Sequence, residues 1–209
     1  MNFLLASSVL KKYTHAVVAV DVGIFSIIDH TLHVLLIKLY QSPYEKAWAL
    51  PGGLIRINES LDDAARRELK ERTGLSGLYL EQLYTFGAVD RDPFGRVVST
   101  AYVALFPMSD VSVSVVKDSG TVRWFPVARL PELGYDHREI VHYAWERIKN
   151  KLKYSNIVYS LLPKHFTLSA LQEVYEIVLA KSLDKRNFRK KILSLELIEP
   201  VGKKVSGLP

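Results

Sequence analysis

Residues 53–75, GLIRINESLDDAARRELKERTGL, restrict the possible folds of this chain more than any other segment. The segment starts at the break Pro51-Gly52-Gly53, runs to Gly74, and reads in between as one capped helix. Ser60 offers a side-chain oxygen for the N-cap, Asp62 and Asp63 sit in the first turn where the helix dipole favours negative charge, and Gly74 suits a left-handed stop. Leu61, Ala64, Ala65 and Leu69 recur at i, i+3, i+4 and i+8, so one face packs inward. Glu68, Glu71 and Arg72 share another face at i, i+3 and i+4. Two carboxylates at this spacing begin an oxygen-donor set for a hard divalent ion, and a residue at 72 projects to the same side. An arginine stands there. It remains protonated at any practical pH and lies one turn from Glu68, placed to pair with it. Relative to a third carboxylate at that position, the local charge goes from −3 to −1.

Around this helix the chain alternates strand-like runs with turn signals. Residues 15–28 and 32–40 are rich in Val, Ile and Leu and are separated by the Asp29-His30 turn; 48–50, 78–86, 97–106 and 121–125 supply further strands. A second helix is predicted over 138–153, with Ile140, Val141, Ala144, Trp145, Ile148 and Leu152 as its apolar stripe. This mixture predicts an α/β fold, a sandwich of helices flanking a curved mixed sheet. After Tyr154 the texture changes. Pro163 breaks the chain, Thr167 or Ser169 caps a helix to about residue 180, and Asp184 caps another that turns Phe188, Ile192 and Leu193 inward. The break at 181–183 has the length of a helix-turn-helix turn. Leu197-Ile198 and Val205, around Gly202-Lys203-Lys204, read as the strands and tip of a wing. The expected division is 12–154 and 155–209.

Charge separates the same two regions. Residues 1–146 hold 15 Lys+Arg against 17 Asp+Glu, net −2, while residues 147–209 hold 13 against 5, net +8. A basic excess confined to one segment is the footprint of a polyanion partner such as nucleic acid, or of a solvated basic face. The absence of cysteine excludes a disulfide framework and thiolate chemistry, and fits a reducing compartment. The opening MNFLLASSVL has no basic residue ahead of its apolar run and is too short to span a bilayer, so a cytoplasmic protein without a membrane partner is expected. The histidines, His15, His30, His33, His137, His142 and His165, show no shared ligand spacing, so no zinc site is assigned, and no nucleophile triad stands out.

Gly53, Glu59, Arg67, Glu68, Leu69, Glu71, Gly74 and Leu75 match the Nudix signature G-x5-E-x7-R-E-U-x-E-E-x-G-U (U an aliphatic) at every position except the one held by Arg72. Together with WALPGG at 48–53, DRDPFGRVVSTAY at 90–102, FTLSALQEVYE at 166–176 and LDKRNFRKKIL at 183–193, they make the chain resemble the Nudix-related transcriptional regulators. The last two motifs carry most weight, because ordinary Nudix hydrolases lack them. The resemblance implies a Nudix α/β/α sandwich with a C-terminal winged helix-turn-helix domain, in a dimeric bacterial regulator. Its Nudix-like pocket would bind ADP-ribose, a related nucleotide of NAD metabolism, or a sugar such as arabinose.

By that resemblance Arg91 and Arg96 clamp a diphosphate and Asp92 takes ribose hydroxyls; on spacing alone the same segment is a polar hairpin loop. The second helix of the C-terminal unit would enter the major groove of double-stranded DNA through Lys185, Arg186, Asn187, Arg189 and Lys190, with Lys203 and Lys204 at the wing tip. Family members usually end on a further strand that closes the wing, whereas this sequence stops at Pro209, so either the wing or the gene product is expected to be truncated. The rival reading is a working hydrolase of ADP-ribose or another nucleoside diphosphate derivative. In it Glu68, Glu71 and the Gly53 carbonyl hold Mg2+ or Mn2+, and Glu68, Glu71 and Arg67 form the catalytic group.

Overall fold

The computed structural model describes residues 15–107 and 121–201. Among them, one mixed sheet is built from β1 (Val17–Ile28), β2 (Thr31–Lys38), β3 (Trp48–Ala49), β4 (Gly52–Leu54), β5 (Glu81–Phe86), β6 (Val97–Leu105) and β7 (Val122–Pro126). β1 is its spine. It runs parallel to β6 from Val17↔Val97 to Phe25↔Leu105. Its other edge is shared, with β4 antiparallel at Ala19 to Asp21 and β2 antiparallel at Phe25 to Ile28. The gap between these partners is bridged where the Val22 amide donates to the Pro51 carbonyl at 2.8 Å. β5 closes the far side against β6, and β2 carries both β7 and β3.

The period-two pleat divides the core into two layers. On β6, Tyr102 and Ala104, with Phe106 just beyond, face helix α1 (Leu61–Thr73) and meet Ala64, Ala65 and Leu69. Ala101, Val103 and Leu105 face the opposite way, into the layer holding Ile140, Val141, Ala144 and Ile148 of helix α2 (His137–Lys151). This is the predicted sandwich. Ser60 caps α1 by accepting from the Asp63 amide, and Gly74 ends it at φ 75°. β5 starts at Glu81, later than the strand predicted from residue 78.

The α2-side core continues without interruption into the C-terminal helices α3 (Leu168–Leu179) and α4 (Lys185–Ser194), through Leu152, Val158, Leu171, Val178, Phe188 and Ile192. Trp145 is only partly buried; its indole N–H donates to the Val178 carbonyl at 2.9 Å and ties α2 to α3. Thr167, not Ser169, caps α3, and Asp184 caps α4. Between them Ala180 takes φ 53°, and the turn is stapled from α3: Glu176 accepts the Leu183 amide at 2.7 Å and Gln172 donates to the Leu183 carbonyl.

Two expectations are corrected. Leu193 is 56% exposed, because Phe188 and Ile192 at i and i+4 define the buried face and residue 193 lies about 100° further round the helix. Leu197 and Ile198 belong to no strand: Glu196 at φ 53° turns the chain out of α4, leaving Leu197 exposed and Ile198 against the core. The wing residues Gly202, Lys203, Lys204 and Val205 lie outside the described residues.

Candidate functional site

The acidic face of α1 is assembled as an ion-pair cluster. Arg67 lies at its centre: Nε and Nη2 bind the two oxygens of Glu59 at 2.9 and 2.6 Å, and Nη1 donates to Glu68 at 2.5 Å and to Glu71 at 3.4 Å. Arg72 Nε donates to the second Glu68 oxygen at 3.1 Å, and Arg56 reaches Glu71 at 3.3 Å. Hydrogen bonding to Arg67 holds the Glu59 carboxyl at a pKa of about 2, with the Arg56 amide adding to the shift against partial burial. The same clamp raises Arg67 above the ordinary guanidinium value. Glu68 is only 4% exposed and lies against Gly53, where a Cβ would come within 2.3 Å of its Oε1. Only glycine at 53 lets β4 approach this carboxylate.

Glu68, Glu71 and Gly53 are therefore brought together, as the sequence led us to expect. The donor set nevertheless does not fit a divalent cation. Glu59, Glu68 and Glu71 contribute three negative charges, and Arg56, Arg67 and Arg72 cancel them. Both oxygens of Glu68 already accept from guanidinium groups, so an ion would have to displace a charged donor from each position it needed. Among the described residues no group of three His, Asp or Glu side chains is arranged to hold a metal.

Beside this cluster a cleft of about 660 Å³ opens between β1, β4 and the loops after β2 and β5. Its floor is a buried polar network that sequence reading missed. Asp21 accepts from the Ser99 hydroxyl at 2.5 Å and lies 3.3 Å from His137 Nε2 and 3.4 Å from Arg91 Nη2. The Leu50 amide donates to His137 Nδ1 at 2.9 Å, which leaves Nε2 as the N–H that points at Asp21. Burial raises the Asp21 pKa, but the His137, Ser99 and Arg91 donors outweigh it and hold the carboxyl below its ordinary value. The signal was present in the sequence: one aspartate within the apolar run VVAVDVGIF is a buried polar group that needs partners.

The DRDPFGR segment occupies the cleft rim and floor. Arg91 is buried, with Nε and Nη2 bidentate on Asp136 at 2.8 and 2.6 Å, so its fork is engaged with the protein. Asp92 accepts the Phe94 amide in a tight turn, and Arg96 Nη1 donates to the Ala88 carbonyl at 3.0 Å. All three line the cleft. The cleft is also lined by an aromatic pair not anticipated from the sequence: Tyr44 and Tyr135 have centroids 4.6 Å apart, and Tyr135, at φ 55°, also lies over His137.

On α4 the buried residues are Phe188 and Ile192, so Lys185, Arg186, Asn187, Arg189 and Lys190 all face solvent. Lys191, which the sequence reading did not single out, is exposed beside them. The described part of the proposed DNA-reading set is thus exposed together on α4. No helix among the described residues is long and apolar enough to cross a membrane.

Comparison with known proteins agrees with both halves of this description. Residues 18–144 match the NUDIX domain, and residues 158–208 match the NrtR DNA-binding winged helix domain. The ADPR responsive transcriptional repressor NtrR of Acinetobacter baylyi is 33% identical over 202 residues, 94% of this chain and 80% of its own. Shewanella oneidensis NrtR superposes with a TM-score of 0.80 at 33% identity, covering 91% of this chain and 90% of its own. That protein has also been solved with a 27mer DNA (TM-score 0.79, 33% identity, 91% of this chain and 89% of its own). Its NUDIX domain has been solved with ADP ribose (TM-score 0.58, 31% identity, 71% of this chain and 99% of its own). An ADP-ribose pyrophosphatase of Methanocaldococcus jannaschii is 36% identical over 138 residues, 63% of this chain and 76% of its own. With its capped Nudix helix, its mixed sheet and its C-terminal helix pair, the chain belongs to the Nudix family, in the branch that carries an NrtR-type winged helix.

Proposed function

We propose that this protein is an ADP-ribose-responsive transcriptional repressor, with residues 12–154 as the ligand-binding unit and 155–209 as the DNA-binding unit. The observation that carries the reading is the α4 surface: five polar or cationic side chains are exposed together while the apolar pair beneath them is buried. In DNA this helix enters the major groove, with Arg186 or Arg189 reading guanine, Asn187 adenine, and Lys185 and Lys190 contacting phosphates. Lys203 and Lys204 extend the contact to the backbone. The protein acts as a homodimer in the cytoplasm, and ligand alters the spacing of its two reading helices.

In the cleft, Tyr44 and Tyr135 give an aromatic face for a nucleobase, Arg96 a contact for the diphosphate, and Asp92 an acceptor for ribose hydroxyls. Arg91 shapes the floor through Asp136 and Asp21. Nudix hydrolases use a divalent ion when active; the balanced charge around Glu68 and Glu71, with Arg67 at its centre, favours holding the ligand over hydrolysing it.

Fluorescence anisotropy on fragments upstream of the protein's own operon tests the reading. Binding at low salt, released by ADP-ribose and weakening steeply with ionic strength, is the expected result. Indifference to every fragment at low salt, together with rapid Mg2+-dependent cleavage of ADP-ribose, would establish the hydrolase instead.

A further inference from the structure

We propose that Arg72 acts as a ligand group in the place where active Nudix hydrolases use a divalent ion, making anion binding in the cleft independent of metal. The inference rests on the reading above that the cleft takes a nucleoside diphosphate. Arg72 lines the cleft and its side chain is 53% exposed. Its Nε is anchored on the buried Glu68, and no other hydrogen bond holds its terminal nitrogens among the described residues. The guanidinium is thus oriented by the protein while its outer donors stay free for a phosphate.

The charges support the assignment. At the cleft surface Lys38, Arg72, Arg91 and Arg96 stand against Asp21 and Asp92, net +2, while the Glu68 carboxylate that pairs with Arg72 is buried behind the lining. A glutamate at 72 would bring that sum to zero, a change of two units and equal to the charge of one Mg2+. A diphosphate carries about the charge that this excess neutralises. The arginine therefore supplies attraction where a metal would have supplied it. It cannot polarise phosphorus through direct coordination or lower the pKa of a bound water, which are the ion's contributions to cleavage. Grip and scission are separated by one side chain.

Isothermal titration of the full chain with ADP-ribose, and separately with inorganic pyrophosphate, is run once in excess EDTA and once in excess Mg2+. For the unsubstituted chain, the affinities in the two buffers should agree within about twofold. Arg72→Glu should weaken binding in EDTA by about tenfold or more, the loss of one charge-assisted hydrogen bond, and regain it when Mg2+ is added. Arg72→Gln should lose affinity without regaining it, which guards against a folding defect in the glutamate variant. Binding that requires Mg2+ in the unsubstituted chain, or an Arg72→Glu protein that binds normally in EDTA, overturns the inference and leaves the ligand reading intact. Pyrophosphate bound in the expected pattern without ADP-ribose would support Arg72 while removing the nucleotide reading; failure of both probes overturns both.

Discussion

Replacing Asp21 tests whether the cleft floor is held by hydrogen-bond acceptance or by charge. Its carboxylate accepts one short bond from Ser99 at 2.5 Å and two long ones from His137 and Arg91 at 3.3 and 3.4 Å. Asp21→Ala leaves the Ser99 hydroxyl and His137 Nε2–H buried and unpaired. At about 1–3 kcal/mol for each of the two orphaned donors, the expected cost is about 2–6 kcal/mol. Asp21→Asn keeps an acceptor oxygen, and the Ser99 hydroxyl can rotate to meet the amide. Arg91 retains its bidentate partner Asp136, so no guanidinium is left uncompensated. The asparagine variant should therefore lose only about 1–2 kcal/mol. Urea unfolding followed by tryptophan fluorescence gives both values. If asparagine costs as much as alanine, negative charge holds the floor together and the accounting by donors is wrong.

Three further outcomes follow from the geometry. Glu59, held at about 2 in the fold against about 4.3 in the unfolded chain, contributes stability that is complete above about pH 4.3 and lost as pH falls towards 2; unfolding midpoints of Glu59→Gln should flatten across that window, and an unchanged pH profile would count against the clamp. Gly52→Ala places a Cβ 2.5 Å from the Val20 carbonyl, which is backbone and cannot swing away, so a loss of about 1–3 kcal/mol is expected in thermal unfolding. Ala180→Gly relieves the left-handed residue that ends α3 and should stabilise by about 0.5–1 kcal/mol, raising Tm by a few degrees.

The capped helix over Leu61–Thr73 was legible because its signals are local: an oxygen at the N-cap, acids in the first turn, a glycine stop and a regular apolar stripe. The helix-turn-helix was legible for the same reason, down to the Asp184 cap. The charge division along the chain and the alternating strands needed only composition and period. What the sequence determined by itself, then, is the set of elements, the acidic helix face broken by Arg72, and the basic C-terminal helix. The tertiary structure decided which partner each charge met. Asp21 and His137 are 116 positions apart and meet only because α2 begins where β1 crosses the sheet. Arg91 reads as a free clamp until Asp136 lies beside it. Leu193 reads as buried until Phe188 and Ile192 fix the face of its helix. Caps and periodicities act over a few residues and are written in order along the chain, whereas ion pairs and burial depend on distances that exist only once the sheet has folded.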